Sequence, residues 1–276
     1  MEYSIDVAVI GAGVIGLAVA RALSLKGREV VVLEECGSIG TGNSSRNSEV
    51  LHAGIYYPKD SLKAKLCVQG KNLIYNYCKQ NSVSYNQCGK LIIATAPKQI
   101  SELESIENKA VENGVLDLRW INSTELQKIE PEIRGVAALF SPSTGLIDTH
   151  ALMLSFQSEL EEYGGVVAFQ SPVLGGIIKN NSIRLSIGGP EPSDLNCHTV
   201  INCGGIHAQQ IASRIEGFPG RYVPETHYAK GNYFVLNRVA PFRHLIYPVP
   251  DEAGLGIHLT LDLSGRARFG PDVEWI

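Results

Sequence analysis

At 276 residues and 29.9 kDa, the chain is long enough for one large domain or two interleaved ones with a substantial core. Its 44% hydrophobic and 19% charged residues, with a mean hydropathy of +0.02, exclude a disordered chain or a coiled coil. A net charge of −4, from 24 Lys+Arg against 28 Asp+Glu, lacks the basic footprint of a nucleic-acid binder, so no nucleic-acid partner is expected.

The uncharged run at 7–20 is 14 residues long and contains three glycines. A membrane span needs roughly 20 apolar residues, and none is expected. Six cysteines (Cys36, Cys67, Cys78, Cys88, Cys197, Cys203) form no C-x-x-C pair and no zinc-type spacing with His. They read as reduced thiols, and no metal is expected. The first six residues carry two acids and no base, unlike a signal or transit peptide, so any organelle address is expected to lie outside this chain.

The apolar run at 5–10 ends in glycine and reads as a buried parallel strand. Residues 14–26 follow with Ile15, Ala18, Val19, Ala22 and Leu25 at helical spacing and Gly27 as the stop. A second buried strand at 30–33 completes a βαβ unit in about thirty residues. The Gly/Ser/Asn-rich stretch 36–60 reads as loop. Helices are predicted over 61–79, with Leu62, Leu66, Leu73 and Tyr77 near one face, over 98–113 and over 149–163. Strands at 177–178 and 183–187 flank Asn180-Asn181 as a hairpin, 199–203 is a strand and 206–215 a short helix. From 228 onward the alternation predicts strands at 228–236, 244–249, 255–263 and 266–270, with Ser264-Gly265 as a turn. The expected fold class is α/β (α+β overall): a Rossmann-like βαβ core with a mixed, largely antiparallel second sheet.

Gly11-Ala12-Gly13-Val14-Ile15-Gly16 is a G-x-G-x-x-G string between a strand and a helix, with Glu34 ending the next strand. In such a turn the first glycine makes the bend, the second lets a pyrophosphate approach the backbone and the third lets helix and sheet pack closely. The helix amino terminus offers N–H groups to phosphate. Glu34 can accept hydrogen bonds from ribose hydroxyls and repels a 2′-phosphate, which disfavours NADP. The pattern predicts a dinucleotide and leaves FAD and NAD open.

The run Ser45-Arg46-Asn47-Ser48 to His52-Ala53-Gly54-Ile55-Tyr56-Tyr57 resembles the loop after the second strand in FAD-dependent oxidoreductases of the D-amino-acid-oxidase-like superfamily, and more narrowly the L-2-hydroxyglutarate dehydrogenase family. Ser141-Pro142 through Gly145-Leu146-Ile147-Asp148, Val200-Ile201-Asn202-Cys203-Gly204-Gly205, His227-Tyr228-Ala229-Lys230-Gly231-Asn232-Tyr233 and Phe269-Gly270-Pro271-Asp272 extend the resemblance over essentially the whole chain. It implies an FAD-binding domain over 1–90 and 140–220 and a substrate-binding domain over 91–139 and 221–276. The family pattern continues past the G-P-D motif, so the carboxy-terminal part of the FAD domain is expected to be missing and this form to have little dehydrogenase activity.

The resemblance further implies FAD contacts at Gly11, Gly13, Gly16, Glu34, Ser45, Arg46, Val173, Gly205 and Gly270, and substrate contacts at Tyr56, Lys230 and His258. The expected substrate is a small 2-hydroxy dicarboxylate, most specifically (S)-2-hydroxyglutarate, with an unidentified electron acceptor other than NAD and a mitochondrial location. His52 is the candidate catalytic residue: losing a hydride from a secondary alcohol also releases the hydroxyl proton, which an imidazole with an ordinary pKa of about 6.5 can accept. The blander readings are an interior hydrogen-bonded histidine for His52, a spectator His258, a solvated Lys230, a loop-capping Arg46 and packing tyrosines at 56 and 57. Cys203 has no base placed beside it and is set aside as a nucleophile. The rival functions are an amino-acid or sarcosine-type FAD oxidase and a non-catalytic form.

Overall fold

The computed structural model describes residues 2–250 and 256–276. The chain divides into two compact units: Met1–Asn47 with Thr149–His227, and Ser48–Asp148 with Tyr228–Ile276.

Unit 1 is built on a seven-stranded sheet. Strands Ser193–Asn202, Glu2–Ile10, Val30–Leu33 and Val166–Ala168 lie side by side and parallel. Beyond Ser193–Asn202 the sheet turns antiparallel through Ser182–Ile187 and Val173–Lys179, and ends in the short strand Ile215–Glu216. Strand Glu2–Ile10 is apolar on both faces. Val7 and Val9 enter one buried cluster with Leu17, Ala20, Met153 and Leu160, while Ala8 and Ile10 enter another with Leu185, Ile187 and Leu195. That two-sided burial is why the strand reads as a continuous apolar run rather than an alternating one. The first cluster seats helices Val14–Ser24 and Thr149–Glu162.

Unit 2 holds a second seven-stranded sheet. Its order is Phe234–Val235, Ala267–Gly270, His258–Leu261, Leu245–Pro248, Lys90–Ala94, Ala137–Ser141 and Arg119–Asn122, and only Leu245–Pro248 with Lys90–Ala94 pairs parallel. Helix Ile100–Glu112 packs Leu103, Ile106 and Ala110 against Ile92, Ala94 and Leu139. A three-stranded sheet of Val50–Leu51, Gly145–Ile147 and Tyr85–Asn86 ties the start of the unit to its middle. Ser61 caps helix Leu62–Gln80, its Oγ accepting from the Ala64 amide at 3.1 Å.

The observed units differ from the expected domains. Residues 48–90 and 140–148 belong to unit 2, because Val50–Leu51 pairs with Gly145–Ile147 and Lys90–Ala94 is a central strand of its sheet. The apolar residues of the 61–79 prediction also fall differently. Leu62, Leu66 and Leu73 are exposed, and helix Leu62–Gln80 buries Ala64, Lys71 and Cys78 instead. The strand expected over 228–236 shortens to Ala229–Lys230 and Phe234–Val235, with Gly231, Asn232 and Tyr233 between them. Residue 255 of the strand expected at 255–263 lies outside the described residues, and the observed strand is His258–Leu261. Among the described residues no helix is long and apolar enough to cross a membrane.

Gly16 is the tightest point of the βαβ unit: a Cβ there would stand 1.9 Å from the Gly11 carbonyl oxygen. Gly37 has open space around it. Gly16→Ala should therefore lose about 1–3 kcal/mol of stability by overpacking. Gly37→Ala should unfold thermally within the error of the parent chain, and equal melting of the two variants would contradict the packing argument.

Candidate functional site

At the carboxyl end of strand Glu2–Ile10, Gly11 turns the chain with φ +96°. Its N–H donates to the Leu33 carbonyl at 2.8 Å, and the Cys203 N–H donates to the Ile10 carbonyl at 2.9 Å. A cleft of about 380 Å³ opens there, floored by the Gly11 turn and walled by Glu34–Cys36, Thr41–Ser44, Pro172–Val173 and the segment from Cys203 to Arg214. This is the carboxyl edge of parallel strands, where an open α/β sheet binds its ligand. Two more close approaches shape the floor. A Cβ on Gly11 would meet the Cys203 carbonyl oxygen at 2.7 Å, and one on Gly13 the Ser44 Oγ at 2.9 Å.

Glu34 is 7% exposed and fixed by two backbone donors. The Ala12 N–H donates to its Oε2 at 2.7 Å and the Cys36 N–H to its Oε1 at 2.9 Å. A carboxylate has about four acceptor sites, so both oxygens keep capacity for a ligand's hydroxyls. Ser44 accepts from the Val14 N–H at 3.0 Å, which ties the 41–44 loop to the first turn of helix Val14–Ser24.

Of the residues predicted to hold a cofactor, Gly11, Gly13, Glu34, Val173 and Gly205 line this cleft, and Gly16 stands behind its floor. Ser45 and Arg46 do not line it. The Ser45 Oγ donates to the Gly42 carbonyl at 3.0 Å, and the exposed Arg46 donates to the Ser45 Oγ at 2.9 Å. Gly270 belongs to unit 2, opposite His258 across two strands. Ser44 and Arg214 line the cleft without having been anticipated. The Ser44-Ser45 pair offers no sequence signal for which serine faces the helix, and Arg214 follows a short helix that carries no motif.

Unit 2 gathers a different set. His52 follows strand Val50–Leu51, and its carbonyl accepts from the Cys67 thiol at 3.4 Å. Burial above all, then the charges of Lys90, His258 and Lys63, hold its imidazole down to about 4. It is therefore neutral at pH 7, the form that can accept a proton. Tyr247 and His258 face each other on adjacent strands and stack at 3.6 Å between centroids, 6° from parallel. The Lys90 Nζ lies 4.7 Å from the Tyr56 ring centroid and 4.9 Å from that of Tyr247. Tyr56, Lys90, Tyr247 and His258 thus form one cluster, with His52 within reach of the charges of Lys90 and His258. Lys230 stands apart from these contacts, exposed on the two-residue strand Ala229–Lys230 opposite Glu274. No group of three or more His, Cys, Asp or Glu suited to a metal occurs among the described residues.

Residues 6–276 match the FAD dependent oxidoreductase family. The chain is 42% identical to the mitochondrial L-2-hydroxyglutarate dehydrogenase of Arabidopsis thaliana, covering 99% of this chain and 62% of that protein. It is 37% identical to the mitochondrial L-2-hydroxyglutarate dehydrogenase of Homo sapiens, covering 98% of this chain and 61% of that protein. The chain thus spans about three fifths of the length of these relatives. Among solved structures, FAD-bound L-alpha-glycerophosphate oxidase from Mycoplasma pneumoniae superposes with a TM-score of 0.90 at 22% identity, over 99% of this chain and 72% of that one. Glycine oxidase from Geobacillus kaustophilus gives 0.82 at 18%, over 99% and 72%. These structural likenesses establish the shared fold.

The His52 imidazole also links stability to pH. Its folded value of about 4 lies below the ordinary histidine value of 6.5, so the unfolded chain binds the extra proton between those limits. The stability this contributes is present above about pH 6.5 and lost as pH falls toward 4. His52→Gln should shrink the difference in unfolding free energy between pH 7.5 and pH 4.5 by on the order of 2 kcal/mol. Urea titrations at the two pH values measure it, and an unchanged difference would place the imidazole in water.

Proposed function

The chain belongs to the FAD dependent oxidoreductase family, and we propose that it binds FAD through the unit 1 cleft and oxidises a 2-hydroxy acid, (S)-2-hydroxyglutarate to 2-oxoglutarate. The observation that carries the substrate is the 42% identity, over 99% of this chain, to a protein named for that reaction. The cofactor reading is supported by the cleft itself. Its floor is a glycine turn where added Cβ atoms would clash, it opens on a helix amino terminus, and a buried carboxylate with spare acceptor sites stands at its wall.

Bound FAD supplies the acceptor for the hydride that leaves the substrate carbon. The Gly11–Gly16 turn receives the pyrophosphate, and Glu34 takes the ribose hydroxyls while its charge repels a 2′-phosphate. Val173 and Gly205 line the same cleft and complete the proposed cofactor contacts. His52 accepts the hydroxyl proton at a ring nitrogen as the hydride departs. Tyr56 and His258 shape the substrate pocket, and Lys230 is assigned to a substrate carboxylate. Electrons leave to an acceptor other than NAD, and the location is the mitochondrion named for the relatives.

Two variants separate these roles. Glu34→Gln should weaken FAD retention by about 1.5–3 kcal/mol, the scale of a hydrogen bond to a charged group. Flavin absorbance after dialysis reads this, and equal retention would remove Glu34 from the ribose. His52→Ala should keep FAD bound and slow flavin reduction by (S)-2-hydroxyglutarate roughly 10²–10⁴-fold. Reduction at the parent rate in stopped flow would show that another group takes the proton.

A further inference from the structure

We propose that Lys90 is the specificity-determining cation of unit 2, whose charge selects a carboxylate-bearing substrate at the Tyr56, Tyr247 and His258 cluster. The inference rests on the reading of unit 2 as the substrate-binding part and adds to it a residue that carries no motif.

Lys90 is 1% exposed at the start of a central strand, between Leu245–Pro248 and Ala137–Ser141. An ammonium so placed costs several kcal/mol in lost hydration, and proteins ordinarily offset that with a carboxylate. Among the described residues no Asp or Glu comes within ion-pair distance of it. The described contacts of its Nζ are the faces of Tyr56 and Tyr247, at 4.7 and 4.9 Å. Two cation–π contacts offset part of the cost. The rest is left standing, and burial pulls the amine down to about 7.

The other lysines nearby are accounted for differently. Lys71 is also buried, but its Nζ donates to the Ser143 Oγ at 2.7 Å. Lys63 lies over the Tyr57 ring and is exposed.

Among the described residues, an anion is what this arrangement lacks. Lys90 shares Tyr247 with His258, whose ring is stacked on it, and shares Tyr56 with the loop that carries His52. Its charge also acts on the His52 imidazole, as do those of His258 and Lys63. A carboxylate bound at the cluster favours the protonated form of Lys90 and meets its positive charge. At separations under about 10 Å and an effective dielectric near 20, such a charge is worth roughly tenfold or more in affinity. The same carboxylate offsets the field that suppresses His52, so binding the acid strengthens the base. Lys90 is thus a positioning residue for the proton acceptor and a selector for the anion.

The test uses the full chain with excess FAD and two unreactive probes, glutarate and its neutral analogue glutaramide, titrated calorimetrically. Parent protein should bind glutarate at least tenfold more tightly than glutaramide. Lys90→Met should lose about 10–100-fold for glutarate and nothing for glutaramide, and Lys90→Arg should retain most of the preference. As an independent readout, the His52 ring proton followed by NMR should titrate higher in Lys90→Met, and in the parent once glutarate is bound. Should Lys90→Met fail to fold, Lys90→Gln and the parent's preference between the two probes carry the same decision. A parent that binds both probes equally, or a folded Lys90→Met or Lys90→Gln that binds glutarate as the parent does, overturns the proposal. Glutarate binding that depends on Lys90 without flavin reduction by (S)-2-hydroxyglutarate would overturn the functional reading and leave the anion pocket intact.

Discussion

Unit 1 depends on how closely helix Val14–Ser24 approaches the turn that precedes it. Gly16 has room only for hydrogen, because the Gly11 carbonyl oxygen occupies the place of a side chain. That approach lets Leu17 and Ala20 reach Val7, Val9 and Val32. It also aims the first helical turn at the cleft, where the Ser44 hydroxyl meets the Val14 N–H. Gly11 in turn abuts the backbone at Cys203, so the turn, the helix and strand Ser193–Asn202 are positioned together. One missing Cβ thereby lets the helix seat against the turn that floors the cleft.

The chain reaches each unit in two passes, and each unit closes by pairing its separated segments. In unit 1, strand Ser193–Asn202 adds beside Glu2–Ile10, and Val166–Ala168 beside Val30–Leu33. In unit 2, Leu245–Pro248 adds parallel to Lys90–Ala94, which brings Tyr247 to Lys90 across more than 150 residues of sequence, and its antiparallel pairing with His258–Leu261 stacks His258 on Tyr247. The cluster around Lys90 is therefore a product of this long-range register. A one-residue slip of Leu245–Pro248 would turn Tyr247 to the other face and undo it.

The same distinction decides what could be read from the sequence. The βαβ opening was legible because glycine spacing, apolar runs and the stop at Gly27 are all local, and the cleft residues Gly11, Gly13 and Glu34 came with it. Helix Leu62–Gln80 was found, yet its packed side was not. Its leucines are exposed, while Ala64 and Cys78 let it approach its neighbours. Lys90 was invisible for a related reason: a lysine before a four-residue apolar strand reads as a solvated end, and only pairing on both sides buries it. Lys230 had the better motif and the more exposed position.

The buried charges of unit 2 sharpen the point. Two buried acids among its described residues are engaged away from Lys90, although the Glu130 Oε2 has no hydrogen-bond partner among the described residues. Glu130, fully buried, accepts from the Arg243 and His244 amides at 2.8 and 2.9 Å and lies 2.7 Å from the His244 Nδ1. Asp262 accepts from Ser264 and Arg266 in the turn before Ala267–Gly270, and those donors with the Arg266 charge outweigh its burial and hold its carboxyl at about 2. Each carboxylate ties a loop to the sheet, and neither pairs with Lys90. Lys71 is likewise spent on Ser143. Lys90 is the buried cation whose described contacts are aromatic faces, which support a cation while leaving its charge unneutralised. A fold that needed only to bury a side chain at that strand position could use leucine at no electrostatic cost. Among the described residues Lys90 has no carboxylate partner, and the proposed binding role supplies one of negative sign.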